Sequence, residues 1–182
     1  MVESMWIKTF LLRSLTAIGS PGLQQWTQGQ GVPSERYPTT EEFLQDHAGG
    51  CLAKPLAHSL DLGCGPSPRN PFGAKVAKGV DIRASEDLNI VGCDLGASPI
   101  LFVNECFNYV TVFDFIEHIP RVAIVDGKIR PEGLFFSRTP AYPCSEAFQD
   151  STHVNIITEG TFPLYFCGDS WLPTMASRAL LS

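Results

Sequence analysis

The stretch His58-Ser-Leu-Asp-Leu-Gly-Cys-Gly65, followed by Gly79-Val-Asp-Ile82, decides the predicted fold. In each segment a short apolar run ends in an acid, Asp61 or Asp81, and the first acid leads into two glycines spaced one apart. A strand, a glycine turn and a later acid for ribose hydroxyls form the pattern of a nucleotide-type cofactor site. The alternative is a strand that simply ends in a glycine turn.

The acid within the turn indicates which class of ligand the site takes. A carboxylate at Asp61 repels a pyrophosphate but suits a ligand that carries an ammonium group. Gly63 and Gly65 are free in φ and lack side chains, so that main-chain donors can meet a ligand carboxylate closely. These features favour S-adenosylmethionine over NAD, which would need a third glycine where the chain has Pro66-Ser-Pro68.

Composition narrows the function classes. The 182 residues carry a net charge of −6, which argues against a surface for nucleic acid or for an anionic membrane. No run reaches the roughly 18 uninterrupted apolar residues that a membrane span needs. The six cysteines include no C-x-x-C pair, so we expect a reduced, cytoplasmic protein and predict no metal site.

The chain divides into an N-terminal extension over residues 1–50 and a main domain over residues 51–182. Apolar residues between Met5 and Ile18 recur at helical spacing and predict an amphipathic helix, with a targeting sequence as the weaker alternative. Residues 19–50 read as a loop with one short helix after Pro38. The main domain shows apolar runs typical of strands at 58–62, 77–82, 89–93, 108–114 and 133–138.

Strands that alternate with longer connections predict an α/β fold, a Rossmann-like three-layer sandwich with a mostly parallel sheet. Between Asp114 and Leu134 there is room for only a turn or two, because prolines and a glycine interrupt the segment. Beyond Phe166 no pair of closing strands is recognisable. We therefore expect a fold that is truncated in the crossover before its fifth strand and at its C-terminal strands.

Further candidate residues follow the later strands. Asp94, at the end of the third strand, could accept a hydrogen bond from an adenine amine, although an Asx turn with Gly96 is an equally simple explanation. The fourth strand brings Asp114 and Phe115 to the rim of the crevice.

Two histidines are candidates for a general base. His118 follows the fourth strand directly, and imidazole can accept a proton from a substrate hydroxyl at neutral pH. Its neighbour Glu117 is expected to cap or solvate a helical turn. His153 lies in a segment rich in hydrogen-bonding groups that suits a polar small substrate, or that simply forms a polar loop before a terminal helix; these groups are Gln149, Asp150 and Asn155.

Taken together, these motifs resemble those of class I S-adenosylmethionine-dependent methyltransferases over about residues 57–166; the motifs are Asp61-Leu-Gly-Cys-Gly65, Val80-Asp-Ile, Cys93-Asp-Leu, Phe113-Asp-Phe-Ile-Glu-His-Ile and Pro131-Glu-Gly-Leu-Phe. The segment Asp150-Ser-Thr-His-Val further resembles a motif of sugar or glycan methyltransferases. The resemblance implies that Asp61, Gly63 and Gly65 hold the methionine end and that Asp81 takes the ribose hydroxyls. It also implies that Asp94 and Leu95 take the adenine and that Asp114 and Phe115 border the methionine moiety.

The predicted activity is transfer of a methyl group from S-adenosylmethionine to an oxygen or nitrogen of a small polar acceptor. His153 is the first candidate for the base and His118 the second. A degenerate methyltransferase domain that binds a partner without catalysis is the first rival, and a nicotinamide-dependent oxidoreductase is the second. The acceptor and the oligomeric state do not follow from the sequence.

Overall fold

The computed structural model describes residues 7–17, 20–26, 40, 44, 56–120, 128–158 and 160–161. The strands in these ranges are β1 (Ile7–Ala17), β2 (Ser20–Trp26), β3 (His58–Leu62), β4 (Val76–Asp81), β5 (Ile90–Gly92), β6 (Phe107–Phe113) and β7 (Ile129–Pro140). They form one sheet with the strand order β2-β1-β7-β6-β3-β4-β5.

Five neighbouring strands, from β7 through β6, β3 and β4 to β5, run parallel. This mostly parallel, Rossmann-like α/β arrangement confirms the predicted fold class. The five predicted strands are also confirmed, although β7 is longer than expected. Because β4 and β6 lie on opposite sides of β3, a switch point lies between β3 and β6, and ligands bind at the carboxyl ends of strands at such points.

Both faces of the sheet are buried at β3, β6 and the described part of β7, since side chains alternate along each strand. On one face Leu60 and Leu62 pack with Val110 and Val112 in a cluster that also contains Phe135. On the other face aromatic rings dominate: Phe72 stacks on Tyr109 at 4.3 Å between ring centroids, and Phe113 lies 5.4 Å from Phe136.

The connections between the parallel strands differ from the helical layers that the alternation predicts. Within residues 56–120 they consist of turns and bends, together with one 3-10 helix at Ile116–His118. Pro66, Pro68 and Pro71 explain this in the first connection, because proline lacks the N–H that a helix interior needs. Apolar residues from the loops cover the sheet instead, among them Phe72, Leu95 and Ile100. A four-residue helix follows at Glu146–Gln149.

The predicted amphipathic helix near the N-terminus is wrong for the described residues 7–17, which form β1. This strand pairs antiparallel with β7, from Ile7 opposite Pro140 to Arg13 opposite Leu134. β2, in a segment predicted to be a loop, pairs in turn with β1. The physical reason is that β7 would otherwise leave a row of unpaired N–H and C=O groups, and pairing them overrides local helical periodicity.

The N-terminal extension thus supplies two strands beside β7, where the prediction lacked closing strands; the boundary at residue 50 stays a prediction. The predicted C-terminal segment beyond residue 161 lies outside the described residues. Of the predicted short helix, Thr40 and Leu44 are described, and both are helical. Among the described residues, no helix has the length and apolar character to cross a membrane.

Candidate active site

The glycine turn after β3 is held by main-chain bonds to β4. The N–H groups of Gly63 and Cys64 both donate to the carbonyl oxygen of Val80, at 2.8 and 3.2 Å. The Gly65 N–H donates to Asp81 Oδ2 at 2.9 Å. The structure therefore places the turn and the second acid together at the carboxyl-terminal ends of β3 and β4, beside the switch point.

Asp61 is almost fully buried, with 1% of its surface exposed. Its Oδ1 accepts a hydrogen bond from Thr111 Oγ1 at 2.7 Å, and its Oδ2 accepts one from the Arg69 N–H at 2.8 Å. Burial raises its pKa to about 6, although these hydrogen bonds and the Arg69 charge oppose the rise. Each carboxylate oxygen has a second lone pair, so the group can still accept from a ligand ammonium.

Gly63 is required by packing as well as by conformation. Its φ of 62° lies in the left-handed region, and a Cβ at this position would overlap the ring of Phe115. The bare main chain thus lets the end of β6 approach the turn after β3. Because all three N–H groups of the turn donate within the protein, a ligand carboxylate needs a different donor.

The guanidinium of Arg69 is a donor that lies at this end of the sheet, and the sequence analysis did not single it out. Its guanidinium lies 4.5 Å from the centre of the Phe113 ring, and its Nη1 is 3.5 Å from the Phe113 carbonyl oxygen. The side chain is therefore held at the carboxyl end of β6, while its main chain caps Asp61. The only sequence feature that could have indicated Arg69 is its position shortly after the turn. Sequence alone does not show that the loop folds back towards Phe113.

The other predicted cofactor residues also follow the carboxyl-terminal ends of the parallel strands. Asp81 ends β4, and its Oδ1 also faces the Arg83 N–H at 3.4 Å. The exposed Asp94 forms the Asx turn weighed above, with its Oδ1 2.9 Å from the Gly96 N–H. Leu95 is 4% exposed and packs in the core, so only its main chain can meet an adenine. Asp114 is exposed and has a φ of 48°.

Burial also affects the cysteine inside the turn. It raises the pKa of the Cys64 thiol to about 11, and the charges of Asp61 and Asp81 add to the rise. Cys64 is therefore a protonated thiol at neutral pH and is not a nucleophile.

The two candidate bases, predicted from separate segments, are neighbours in the structure. The rings of His118 and His153 pack edge to face with 4.7 Å between their centroids. The segment around His153 is fastened to the 3-10 helix: the N–H groups of Val154 and Asn155 both donate to the Glu117 carbonyl oxygen. The Asn155 side chain also donates to the carbonyl oxygens of Ile116 and Ile119.

Glu117 lies between these segments, and the expectation that it caps or solvates a helical turn is wrong. Its side chain is 1% exposed, and its Oε2 accepts a hydrogen bond from Thr139 Oγ1 of β7 at 2.8 Å. Burial raises its pKa; its main-chain N–H, the Thr139 hydroxyl and the nearby His118 oppose the rise. The sequence does not show this, because Thr139 is a partner from a different strand.

The hydrogen bonds assign the same tautomer to both histidines. The Thr152 hydroxyl donates to Asp150 Oδ1 at 2.6 Å, so it can only accept from His118 Nδ1, 3.0 Å away. His153 Nδ1 faces the carbonyl oxygen of Ala147 at 3.2 Å, which also only accepts. Each neutral ring therefore carries its proton on Nδ1 and presents the lone pair of Nε2.

Comparisons with solved structures give methyltransferases. One match is a chain of the complex between the Haloferax volcanii Trm112 methyltransferase activator and a candidate methyltransferase, with 14% identity and a TM-score of 0.37 over 53% of this chain and 54% of that one. This chain therefore spans about half the length of that match. Another is a SAM dependent methyltransferase from Archaeoglobus fulgidus, with 18% identity and a TM-score of 0.46 over 72% and 69%. No protein-family model and no curated protein matches the chain.

Proposed function

We propose that this protein transfers a methyl group from S-adenosylmethionine to an oxygen or nitrogen of a small polar acceptor. The observation that carries the proposal is the buried Asp61 beside a glycine turn that is bonded to Asp81, at the switch point of a parallel sheet. An acid at this position favours a ligand with a positive charge over a dinucleotide diphosphate.

The residues present fit the parts of this cofactor. Asp61 would accept from its ammonium group, Arg69 would pair with its carboxylate, and Asp81 would accept from its ribose hydroxyls. The large apolar side chain of Ile82, which is 72% exposed, offers a surface for the adenine next to Asp94. When bound, the cofactor supplies an electrophilic methyl group on a sulfonium sulfur.

The protein's own contribution is alignment and removal of a proton. Holding two reactants in line is worth roughly 7–11 kcal/mol in oriented models, and a general base adds about 10²–10⁴-fold. His153 is the proposed base: its Nε2 bears the lone pair, and the Asp150 carboxylate, 3.9 Å away, would stabilise the imidazolium that forms. His118 packs against it and positions it.

The first test is calorimetric titration of the purified chain with S-adenosylhomocysteine and, separately, with NAD. We expect saturable binding of S-adenosylhomocysteine and none of NAD. A ligand at 100 times its dissociation constant should also stabilise the fold by about 2.7 kcal/mol in a melting experiment. Stabilisation by NAD alone would favour the oxidoreductase instead.

The second test measures methyl transfer to a panel of polar metabolites by His153→Ala and His118→Ala. Turnover should fall by about 10²–10⁴ for His153→Ala, while affinity for S-adenosylhomocysteine stays unchanged. His58→Ala is the matched control, because His58 lies at the opposite, amino-terminal end of β3. Unchanged turnover in both active-site variants would exclude a histidine base.

One observation favours the rival role as a binding protein. Four large apolar side chains near the His153 segment are more than half exposed: Tyr142, Phe148, Val154 and Ile156. Exposed apolar patches often mark surfaces that bind other proteins. Binding of S-adenosylhomocysteine without methylation of any acceptor would favour this role.

A further inference from the structure

The side chains of Glu117, His118 and His153 bring three metal-ligating groups together outside the cofactor crevice. One ligand atom from each lies within 4.8 Å of the other two. We propose that these residues bind a divalent first-row transition metal ion, with Zn²⁺ as the first candidate. The cysteine pattern of the sequence gave no indication of such a site.

The carboxylate of Glu117 is the first argument. It is buried, and the side-chain hydrogen bond that the described residues give it comes from a neutral hydroxyl, that of Thr139. Buried charged groups in proteins are generally paired with an opposite charge or coordinate a metal. A cation held beside Glu117 supplies the missing positive charge.

The surroundings of the two histidines are the second argument. Histidines that bind metals usually donate their other ring N–H to a carboxylate, a main-chain carbonyl or a similar acceptor. His153 does this through Nδ1 to the Ala147 carbonyl, and His118 does it through Nδ1 to Thr152, whose hydroxyl is fixed by Asp150. The Nε2 atoms are therefore the ring nitrogens left to bind a metal, and that of His153 lies 3.9 Å from Asp150 Oδ2.

The ligand set determines the kind of metal. Two imidazoles and one carboxylate suit Zn²⁺, Fe²⁺ or Ni²⁺, whereas Mg²⁺ and Ca²⁺ prefer oxygen ligands. Ligand atoms around a tetrahedral Zn²⁺ lie about 3.4 Å apart, so ligand atoms that are now up to 4.8 Å apart must approach by up to about 1.4 Å on binding. Three protein ligands leave a coordination position open, which is typical of catalytic zinc sites.

The open position suggests a role in methyl transfer, and this part rests on the proposed function. A hydroxyl group of the acceptor bound to the metal would release its proton to solvent water more easily; its oxygen would then attack the sulfonium methyl group, and S-adenosylhomocysteine would leave. The metal would occupy the Nε2 lone pairs, so it would replace His153 as the group that activates the acceptor. Metal binding itself does not depend on methyl transfer.

The test is titration of the chelator-treated full chain, without a polyhistidine tag, with Co²⁺, followed by visible absorption. We expect d–d bands of four- or five-coordinate Co²⁺ that saturate at one ion per chain and are displaced by Zn²⁺. His118→Ala and His153→Ala should each weaken binding at least tenfold. Thr152→Val, which removes the hydroxyl acceptor of His118 Nδ1 and leaves the Thr152 carbonyl oxygen at 3.4 Å, should weaken it by about 10-fold.

His58→Ala is the control and should bind Co²⁺ as the wild type does. Absence of d–d bands with a folded chain, equal affinity in the double histidine variant, or thiolate charge-transfer bands from cysteine ligation would each overturn the proposal. If Glu117→Gln does not fold, the histidine and Thr152 variants still decide the question. Titration of the same samples with S-adenosylhomocysteine separates the two proposals, since loss of one binding reaction leaves the other measurable.

Discussion

The two halves of the candidate site are built in different ways. The glycine-turn region, residues 61–65 and 79–81, is held by main-chain bonds between adjacent parallel strands. The histidine region, residues 116–119 and 150–155, is assembled from two connecting segments that bond to each other outside the sheet. The first region is thus fixed by the sheet, and the second depends on contacts between loops.

This difference has a consequence for perturbation. A change in the glycine-turn region should affect the stability of the whole fold together with cofactor affinity. A change in the histidine region should affect turnover and leave the global free energy of unfolding nearly unchanged. The reason is that loops contribute less to this free energy than core strands do.

Gly63→Ala should have the largest effect. The substitution places a side chain at a φ of 62° and drives its Cβ into the ring of Phe115. Backbone strain and overpacking together should lower the free energy of unfolding by about 2–6 kcal/mol in urea titrations. Gly65→Ala is the matched control: it has the same conformational cost but meets open space, so it should lose only about 1–3 kcal/mol. Equal losses would show that the contact with Phe115 does not matter.

Asp61→Asn should separate stability from binding. The pKa of Asp61 is about 6 in the folded chain against 3.8 for the ordinary group, so the folded chain binds more protons between these pH values. Stability therefore falls as pH rises through this window, by about 3 kcal/mol at most. The variant lacks this pH dependence, so the fall in the free energy of unfolding between about pH 4 and about pH 6 should be absent from its urea titrations. Its amide has one acceptor oxygen where Asp61 accepts from both the Thr111 hydroxyl and the Arg69 N–H, and the donor left unpaired offsets the gain at high pH.

The same variant should bind S-adenosylhomocysteine about 10–100-fold more weakly at pH 7.5, because the ammonium group loses a charged acceptor. Wild-type affinity should also weaken below about pH 6, as Asp61 becomes protonated. Asp87→Asn, at an exposed position in the turn after β4, is the control and should change neither quantity. A variant that binds as tightly as the wild type would remove Asp61 from the cofactor site.

Thr139→Val tests the anchor of the histidine region in the sheet. The substitution keeps the shape but removes the donor to the buried Glu117 carboxylate, so the free energy of unfolding should fall by about 1–3 kcal/mol. Thr139→Ser retains the hydroxyl and should recover most of this loss. If the valine and serine variants are equally stable, Glu117 does not rely on this bond.

The sequence predicts the glycine-turn region better than the histidine region. The difference is whether local patterns or contacts between distant segments determine the structure. Strand periodicity and the glycine turn are local, so the positions of Asp61 and Asp81 follow from the pattern alone. The approach of His118 to His153 and the burial of Glu117 depend on contacts between distant segments. Local patterns do not encode such contacts, so the residues were predicted singly and their cluster was not.

The N-terminal hairpin of β1 and β2 shows that prediction from local patterns has the same limit for whole elements of the fold. Residues 7–17 carry a helical periodicity, but an open edge of β7 offers hydrogen bonds that a helix cannot satisfy. Which strand edge is open is a property of the whole sheet. Arg69 was not predicted for a related reason. Its guanidinium reaches Phe113 only because the loop that carries it folds back, and that fold is not visible in the local sequence.

Asn155→Ala should have the smallest effect on stability, yet it sharpens the comparison most directly. Its side chain donates to the carbonyl oxygens of Ile116 and Ile119, so it ties the His153 segment to the 3-10 helix without touching the glycine turn. Loss of these bonds should cost about 1 kcal/mol of stability, and kcat should fall about tenfold or more as the two histidines separate. Affinity for S-adenosylhomocysteine should stay within twofold of wild type. Asn104→Ala, which removes an exposed bond to Lys128, is the matched control and should leave all three quantities unchanged. A loss of cofactor affinity equal to the loss of kcat would mean that the two regions form one cooperative unit.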